Sequence, residues 1–450
     1  MNHRAIGPSA LLVLLLLPMP VLSAEYIQQA GPVPGRAEDI VSALGYAFAN
    51  PKEQPWYLLD DLKEALEDTH PFISDSTLAF DLRTFSFDRK NAVLSDGDAL
   101  AVGGQLRYGS GNWNGLSVEA AWYNSTEVDA SGTPTGLLTL NNENINVLGE
   151  ANLSYQFSDG VLEGGELKLY RQKLNLPYLN TQDSRMLPST HEGYMLQGKS
   201  SEVDYVVGHI TQFKQRSDDQ FRYLSEVAGA QGTDEGLTLI GAQIPLTEHL
   251  TVGAITQYGW DTFNTFYSES SYSNKFSENL DFQLSGQYTN QRSVGDEIVG
   301  SFDTWHAAAQ AALSWRGAMV RLAGSRTGDG ARIRAPWGGK PGYLSIQRSD
   351  FDAANERAVM LGFSYNTEYF SSLGLSSFVN IARGRDGRIA AEGVDLPDRT
   401  EYNLTVDYKP PGGALRGLWL RLRWAHLDVE RDGKTVRDIR LIVNYTLPLI

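Results

Sequence analysis

The stretch GLWLRLRWAHL, residues 417–427, sets Leu418, Leu420, Leu422 and Trp424 on alternate positions with Arg421 and Arg423 between them. In a strand, alternate side chains point to opposite faces, so one face here is apolar and the other carries two guanidinium groups. Unpaired charges are costly out of water, which leaves the arginines bulk solvent, an acidic partner or a wet cavity. A guanidinium recognises a carboxylate through two parallel hydrogen bonds, so the chemistry on offer is anion binding. The same parity picks out Arg83, Arg107, Lys168, Arg321 and Arg440, each flanked by an apolar residue.

Strands of this kind recur along the chain. Leu280, Phe282, Leu284, Gly286 and Tyr288 interleave with Asp281, Gln283, Ser285 and Gln287, and residues 147–157, 359–365, 402–408 and 439–447 repeat the scheme. From Ser76 onward about eighteen such segments can be counted, separated by turn residues, a spacing suited to a tilted membrane β-barrel. Tight turns at 158–160 and 315–317 alternate with long connections at 174–192, 214–235 and 327–356, as expected where short turns face one side of the membrane and long loops the other. Aromatic residues near strand ends, among them Trp122, Tyr123, Trp260, Tyr288, Trp315 and Tyr445, suit an interfacial girdle. The expected fold is all-β, a transmembrane antiparallel β-barrel of about 18 strands. In it the apolar face meets lipid and the seven bases face the lumen. They either stand ready for solute or pair with Asp81, Glu166, Asp407 and Asp438; parity does not choose.

The remaining sequence bounds compartment and chemistry. Residues 1–24 read as a secretory signal peptide: a basic start, an apolar run from Leu11 to Leu17, and small residues at Ser23 and Ala24. Residues 25–71 form an extension with one amphipathic helix over 56–68, and 72–450 the barrel. There is no cysteine, and the net charge of −16 argues against a nucleic-acid partner. The seven histidines lack metal or triad spacing, no nucleophile elbow or phosphate loop occurs, and neither a metal nor a cofactor is expected. An outer-membrane enzyme is the weakest reading.

Two loop stretches carry a family likeness. NTQDSRMLPSTHEG, residues 180–193, and APWGGKPGYLSIQRSDFDAANERAVMLGFSY, residues 335–365, resemble the third and seventh loops of the OprD family of substrate-specific outer-membrane porins. FISDSTLAFDLRTFSFDR and EYNLTVDYKPPGGALRGLWLRLRWA agree more weakly. The resemblance implies an 18-stranded barrel whose third and seventh loops fold inward to narrow the pore, with lumenal bases drawing in carboxylate solutes such as amino acids or organic acids. The matching positions are Asp183, Ser184, Arg185 and Pro188 in one loop, and Pro336, Gly338, Pro341, Gly342, Tyr343, Asp350 and Phe351 in the other. Tyr343 and Asp350 are expected to place polar groups at the eyelet. A porin for neutral sugars such as chitooligosaccharides is the alternative. Expected partners are outer-membrane lipid and lipopolysaccharide, the barrel-assembly machinery during biogenesis, and small-molecule solutes, with the channel a monomer or a trimer.

Overall fold

The computed structural model describes residues 56–91, 95–367, 370, 373–412, 415, 417–430 and 433–450. The signal peptide and residues 25–55 of the extension lie outside the described residues. Eighteen antiparallel strands form one sheet in which each pairs with its neighbours in sequence and the last closes on the first. They are β1 Thr77–Asn91, β2 Gly97–Gly109, β3 Leu116–Gly132, β4 Ile145–Gln156, β5 Glu166–Gln172, β6 Thr190–Ser200, β7 Val203–Lys214, β8 Leu237–Pro245 and β9 Leu250–Gly259. The second half comprises β10 Phe263–Ser277, β11 Leu280–Ser293, β12 Asp303–Trp315, β13 Ala318–Thr327, β14 Arg357–Asn366, β15 Leu375–Arg385, β16 Arg399–Tyr408, β17 Leu418–Val429 and β18 Lys434–Pro448. Closure runs from Ala79 opposite Pro448 to Asn91 opposite Val436, so the sheet has no unpaired edge at that seam. Backbone groups in hydrocarbon have no water to bond, which is why a spanning sheet must close.

Burial follows the period of two. In β14, Arg357, Val359, Leu361 and Phe363 are exposed while Ala358, Met360 and Gly362 are buried. Leu322, Leu361, Val359 and Leu441 are each half or more exposed, an apolar outer belt that only lipid suits. Trp122, Tyr155, Trp260, Tyr288 and Trp315 lie on that outer face. Tyr123 does not: as the chain neighbour of Trp122 it faces inward, fully buried, its hydroxyl donating to Glu150 at 2.8 Å.

Both rims follow from the turns. The rim bearing the carboxyl end has two-residue links at 201–202, 278–279 and 316–317. At the last of these, Arg316 and Gly317 take φ of 47° and 79°, the left-handed pair that a tight hairpin requires and glycine supplies without strain. The opposite rim carries residues 173–189, 215–236 and 328–356, although a short link at 260–262 also lies there. Helix α1, Asp60–Glu67, falls within the stretch read as helical and sits at the first rim. There the backbone N–H groups of Leu58 and Leu59 donate to the carbonyls of Pro448 and Leu449. It does not enter the barrel as a plug.

The interior is filled from above. Three buried apolar clusters each join an inward-folded connection to the wall: Leu174, Leu176 and Leu179 with Phe263 and Trp337; Met186 and Leu187 with Phe85, Phe87 and Trp419; Leu344 and Phe351 with Met360 and Ala382. On the wall, Tyr123 lies across Gly149 so closely that a Cβ there would stand 2.3 Å from its ring. Overpacking of this kind costs about 1–3 kcal/mol. Gly149→Ala is therefore expected to lower the temperature at which the folded, faster or slower migrating band converts to the unfolded one in electrophoresis. Wild-type behaviour would show that the ring moves aside freely.

Candidate functional site

The connections 173–189 and 328–356 are long, yet rich in residues that belong indoors. The first holds Leu174, Leu176, Tyr178, Leu179, Met186 and Leu187, all buried; the second holds Ile333, Trp337, Leu344 and Phe351, also buried. Loops of such composition are costly to leave in water, and the upper inner wall offers them apolar surface. Both therefore fold into the barrel mouth.

Polar anchors fix their positions. Arg83 of β1 donates from Nη1 to Asp183 Oδ1 at 2.7 Å and to the Arg185 carbonyl at 2.7 Å, and from Nε to Asn444 Oδ1 at 2.7 Å. It is a buried clamp on the first loop. The second loop is held against the first by Asn180, whose amide accepts from the Gly339 N–H at 2.7 Å and donates to the Gly339 carbonyl at 2.8 Å. At the adjoining Gly338 a Cβ would lie 2.6 Å from the Asn180 nitrogen, so the two backbones approach as only glycine permits. Trp337 stacks on Phe263 with centroids 4.9 Å apart and donates from its indole to the Leu224 carbonyl at 2.9 Å. Glu401 of β16 accepts from the N–H groups of Arg348 and Ser349 at 2.9 and 2.8 Å.

Between these loops and β17 and β18 lies a cavity of about 620 Å³. Its charged lining is Arg185, Arg216, Arg332, Arg334, Lys340, Arg348, Arg423 and Arg440 against Asp183 and Asp350. Arg423 and Arg440 stand directly opposite each other on adjacent strands, both nearly fully buried. Like charges so placed repel, and the arrangement favours an anion between them. Asp438 compensates in part: it accepts from Arg440 Nη2 at 2.7 Å and Arg89 Nε at 3.0 Å, with Arg348 Nε at 3.8 Å. One carboxylate thus serves three guanidinium groups. Burial lowers the affinity of Arg348 for its proton, with Asp438 working against it. Asp350 is buried too, but Lys340 at 3.2 Å holds its carboxyl below the ordinary range.

The seven bases picked out by parity separate into two groups. Arg423 and Arg440 line the cavity. The other five are not among its lining residues. Arg83 clamps the first loop, Arg107 pairs with Asp81 at 2.5 Å, Lys168 with Glu119 at 3.2 Å and Glu166 at 3.8 Å, and Arg421 with Asp407 at 2.6 Å. Arg321 lies against Met319 on the lower part of β13.

The loop positions divide similarly. Asp183, Ser184, Arg185, Pro336, Gly338 and Asp350 line the cavity, whereas Pro188, Pro341, Gly342, Tyr343 and Phe351 do not. Tyr343, expected at the eyelet, is buried against the wall, its hydroxyl donating to Glu269 at 2.8 Å. Phe351 is an anchor, packed against Gly384 and beneath Arg399. Parity could not find Arg216, Arg332, Arg334, Lys340 or Arg348, because all five sit in loops where no period applies. For four of them, the density of bases in RIRAPWGGK and FKQR was the available signal; Arg348, in SIQRSD, had none of that kind.

Comparison with known proteins agrees with this architecture. A family model described as outer membrane porin, OprD family, matches residues 70–449. Porin D of Pseudomonas aeruginosa is 24% identical over 427 residues, covering 84% of this chain and 92% of that protein. The crystal structure of OpdG from the same organism superposes with a TM-score of 0.75 at 24% identity, covering 84% of this chain and 100% of the other. That of Pseudomonas aeruginosa OpdK with vanillate does so with 0.74 at 20% identity and the same coverage.

Losing the Asn180 amide removes both bonds to Gly339, each worth about 1 kcal/mol. Asn180→Ala is expected to leave the barrel folded while raising mean single-channel conductance and open-channel noise in planar bilayers. A trace indistinguishable from wild type would mean that the loops hold their places without this bridge.

Proposed function

Since the chain belongs to the OprD family of outer-membrane porins, and is a substrate-specific channel of the outer membrane rather than an enzyme, we propose that its solutes are small molecules bearing a carboxylate. The observation that carries this is the lining of the cavity: eight cationic side chains against two acids, with Arg423 facing Arg440 across adjacent strands. A solute carboxylate entering there meets groups already desolvated by the wall and held by their own anchors, so little ordering is needed to bind it. Lys340 is engaged by Asp350 and Asp352, and Arg440 by Asp438, which keeps attraction strong enough for entry and weak enough for release. The apolar lining from Ile333, Ala335 and Ile346 leaves room for a hydrocarbon body. Against a neutral sugar, the charged lining residues outnumber the uncharged polar ones, Asn180, Gln182, Ser184, Ser345 and Gln347, by two to one.

Substituting Arg423 and Arg440 together by alanine tests the reading. Reversal potentials in a potassium chloride gradient should move toward cation preference, and uptake of vanillate by proteoliposomes should fall about tenfold, equivalent to about 1.4 kcal/mol of lost attraction. Leakage of a neutral solute of similar size should hold or rise. Equal losses for charged and neutral solutes would overturn the proposal and indicate a collapsed pore.

A further inference from the structure

The outer face of the barrel carries a second basic array, remote from the channel. Arg326 near the end of β13, Arg357 at the start of β14 and Arg385 at the end of β15 are direct neighbours across the sheet: Arg326 is opposite Arg357, and Arg357 is opposite Arg385. All three are exposed and share the parity of the lipid-facing residues. One row lower come Gly324, Val359 and Arg383, then Leu322, Leu361 and Ile381, then Val320, Phe363 and Val379. The last two rows are wholly apolar, and each of their residues is 41% or more exposed. With a rise of about 3.4 Å per residue, the arginine row stands about 7 Å beyond Val359 along the strands, where a hydrocarbon belt gives way to headgroups.

Like charges directly opposite one another on neighbouring strands are destabilising. Nearby carboxylates relieve this only in part. Asp386 lies 3.7 Å from Arg357, Asp398 lies 3.9 Å from Arg385 and 4.0 Å from Arg383, and Glu430 holds Arg383 at 2.6 Å. Among the described residues, Arg326 has no ion-pair partner. The row lies at the rim opposite the carboxyl end, the rim of the longer loops, which in outer-membrane barrels faces the cell exterior. The lipid leaflet at that rim is the one bearing phosphorylated sugar headgroups.

We propose that Arg326, Arg357 and Arg385 form a binding site for the phosphate groups of an outer-leaflet glycolipid, with the acyl chains lying along the apolar rows beneath. Guanidinium groups in a row bind phosphate oxygens through charge-assisted, paired hydrogen bonds, and the strand spacing of about 4.8 Å lets two neighbours share one phosphate. The Asp386 and Asp398 contacts are long enough to yield to it.

The test uses the full-length protein purified in detergent and titrated with three probes: bisphosphorylated lipid A, the same lipid dephosphorylated, and inorganic phosphate. Bisphosphorylated lipid A should bind wild type at least tenfold more tightly than the Arg326→Ala, Arg357→Ala, Arg385→Ala triple variant. Dephosphorylated lipid should bind both equally, and inorganic phosphate at the same concentration should not displace the lipid. Equal lipid A binding by wild type and triple variant overturns the proposal. Displacement by inorganic phosphate overturns the assignment to a lipid headgroup in favour of a free-anion site. Should the triple variant fail to fold, Arg357→Gln alone, with anion selectivity of the pore unchanged as the folding control, must still weaken lipid A binding. If it does not, the site does not exist.

Discussion

A strand in hydrocarbon has two faces, and a charge can occupy only one of them. From that restriction the rest of this protein follows. Leu420, Leu422 and Trp424 claim the lipid side of β17, so Arg421 and Arg423 must enter the lumen, and the same rule sends Arg83 and Arg440 inward from the two strands that close the barrel. Once inside, the guanidinium groups need compensation that water alone supplies poorly in a narrow space. Asp81, Asp407 and Asp438 answer part of that need from the wall. The carboxylate of Asp183 answers another part from a loop, and so draws the loop down to Arg83.

The inward loops are thus placed by two forces acting together. Apolar residues such as Leu179 and Trp337 set the depth, since they are buried only against Phe263 and its neighbours. Hydrogen bonds then set the register, through Arg83 on one loop, Glu401 on the other and Asn180 between them. The cavity is the space left where these requirements meet the wall, and most of its cations come from the loops.

That division explains what could be read from the chain alone. Strands were legible because lipid enforces alternation, and the family likeness of residues 180–193 and 335–365 located the loops that matter. The fate of each lumenal base was not. Arg421 and Arg423 are both flanked by large apolar residues and share one parity, yet one is engaged by Asp407 and the other faces Arg440, because register across the sheet places Asp407 opposite the first only. Tyr123 and Tyr343 misled for a related reason. An aromatic near a strand end or in a pore loop has an interfacial role unless an inward carboxylate, here the buried Glu150 or the half-buried Glu269, takes its hydroxyl inward.

The seam between β1 and β18 has a bearing on biogenesis. Asn444 and Asp438 lie on the last strand, and Arg83 and Arg89, which they bond, lie on the first. These residues are separated by nearly the whole length of the chain and meet only when the cylinder shuts. The Asn444 bond that steadies the Arg83 clamp and the Arg89 bond to the carboxylate beside Arg440 are consequently products of closure. A chain arrested with its ends apart would keep the loop anchors at Phe263, Glu401 and Asn180 but lack these two bonds, so sealing the wall also completes the fixing of the mouth.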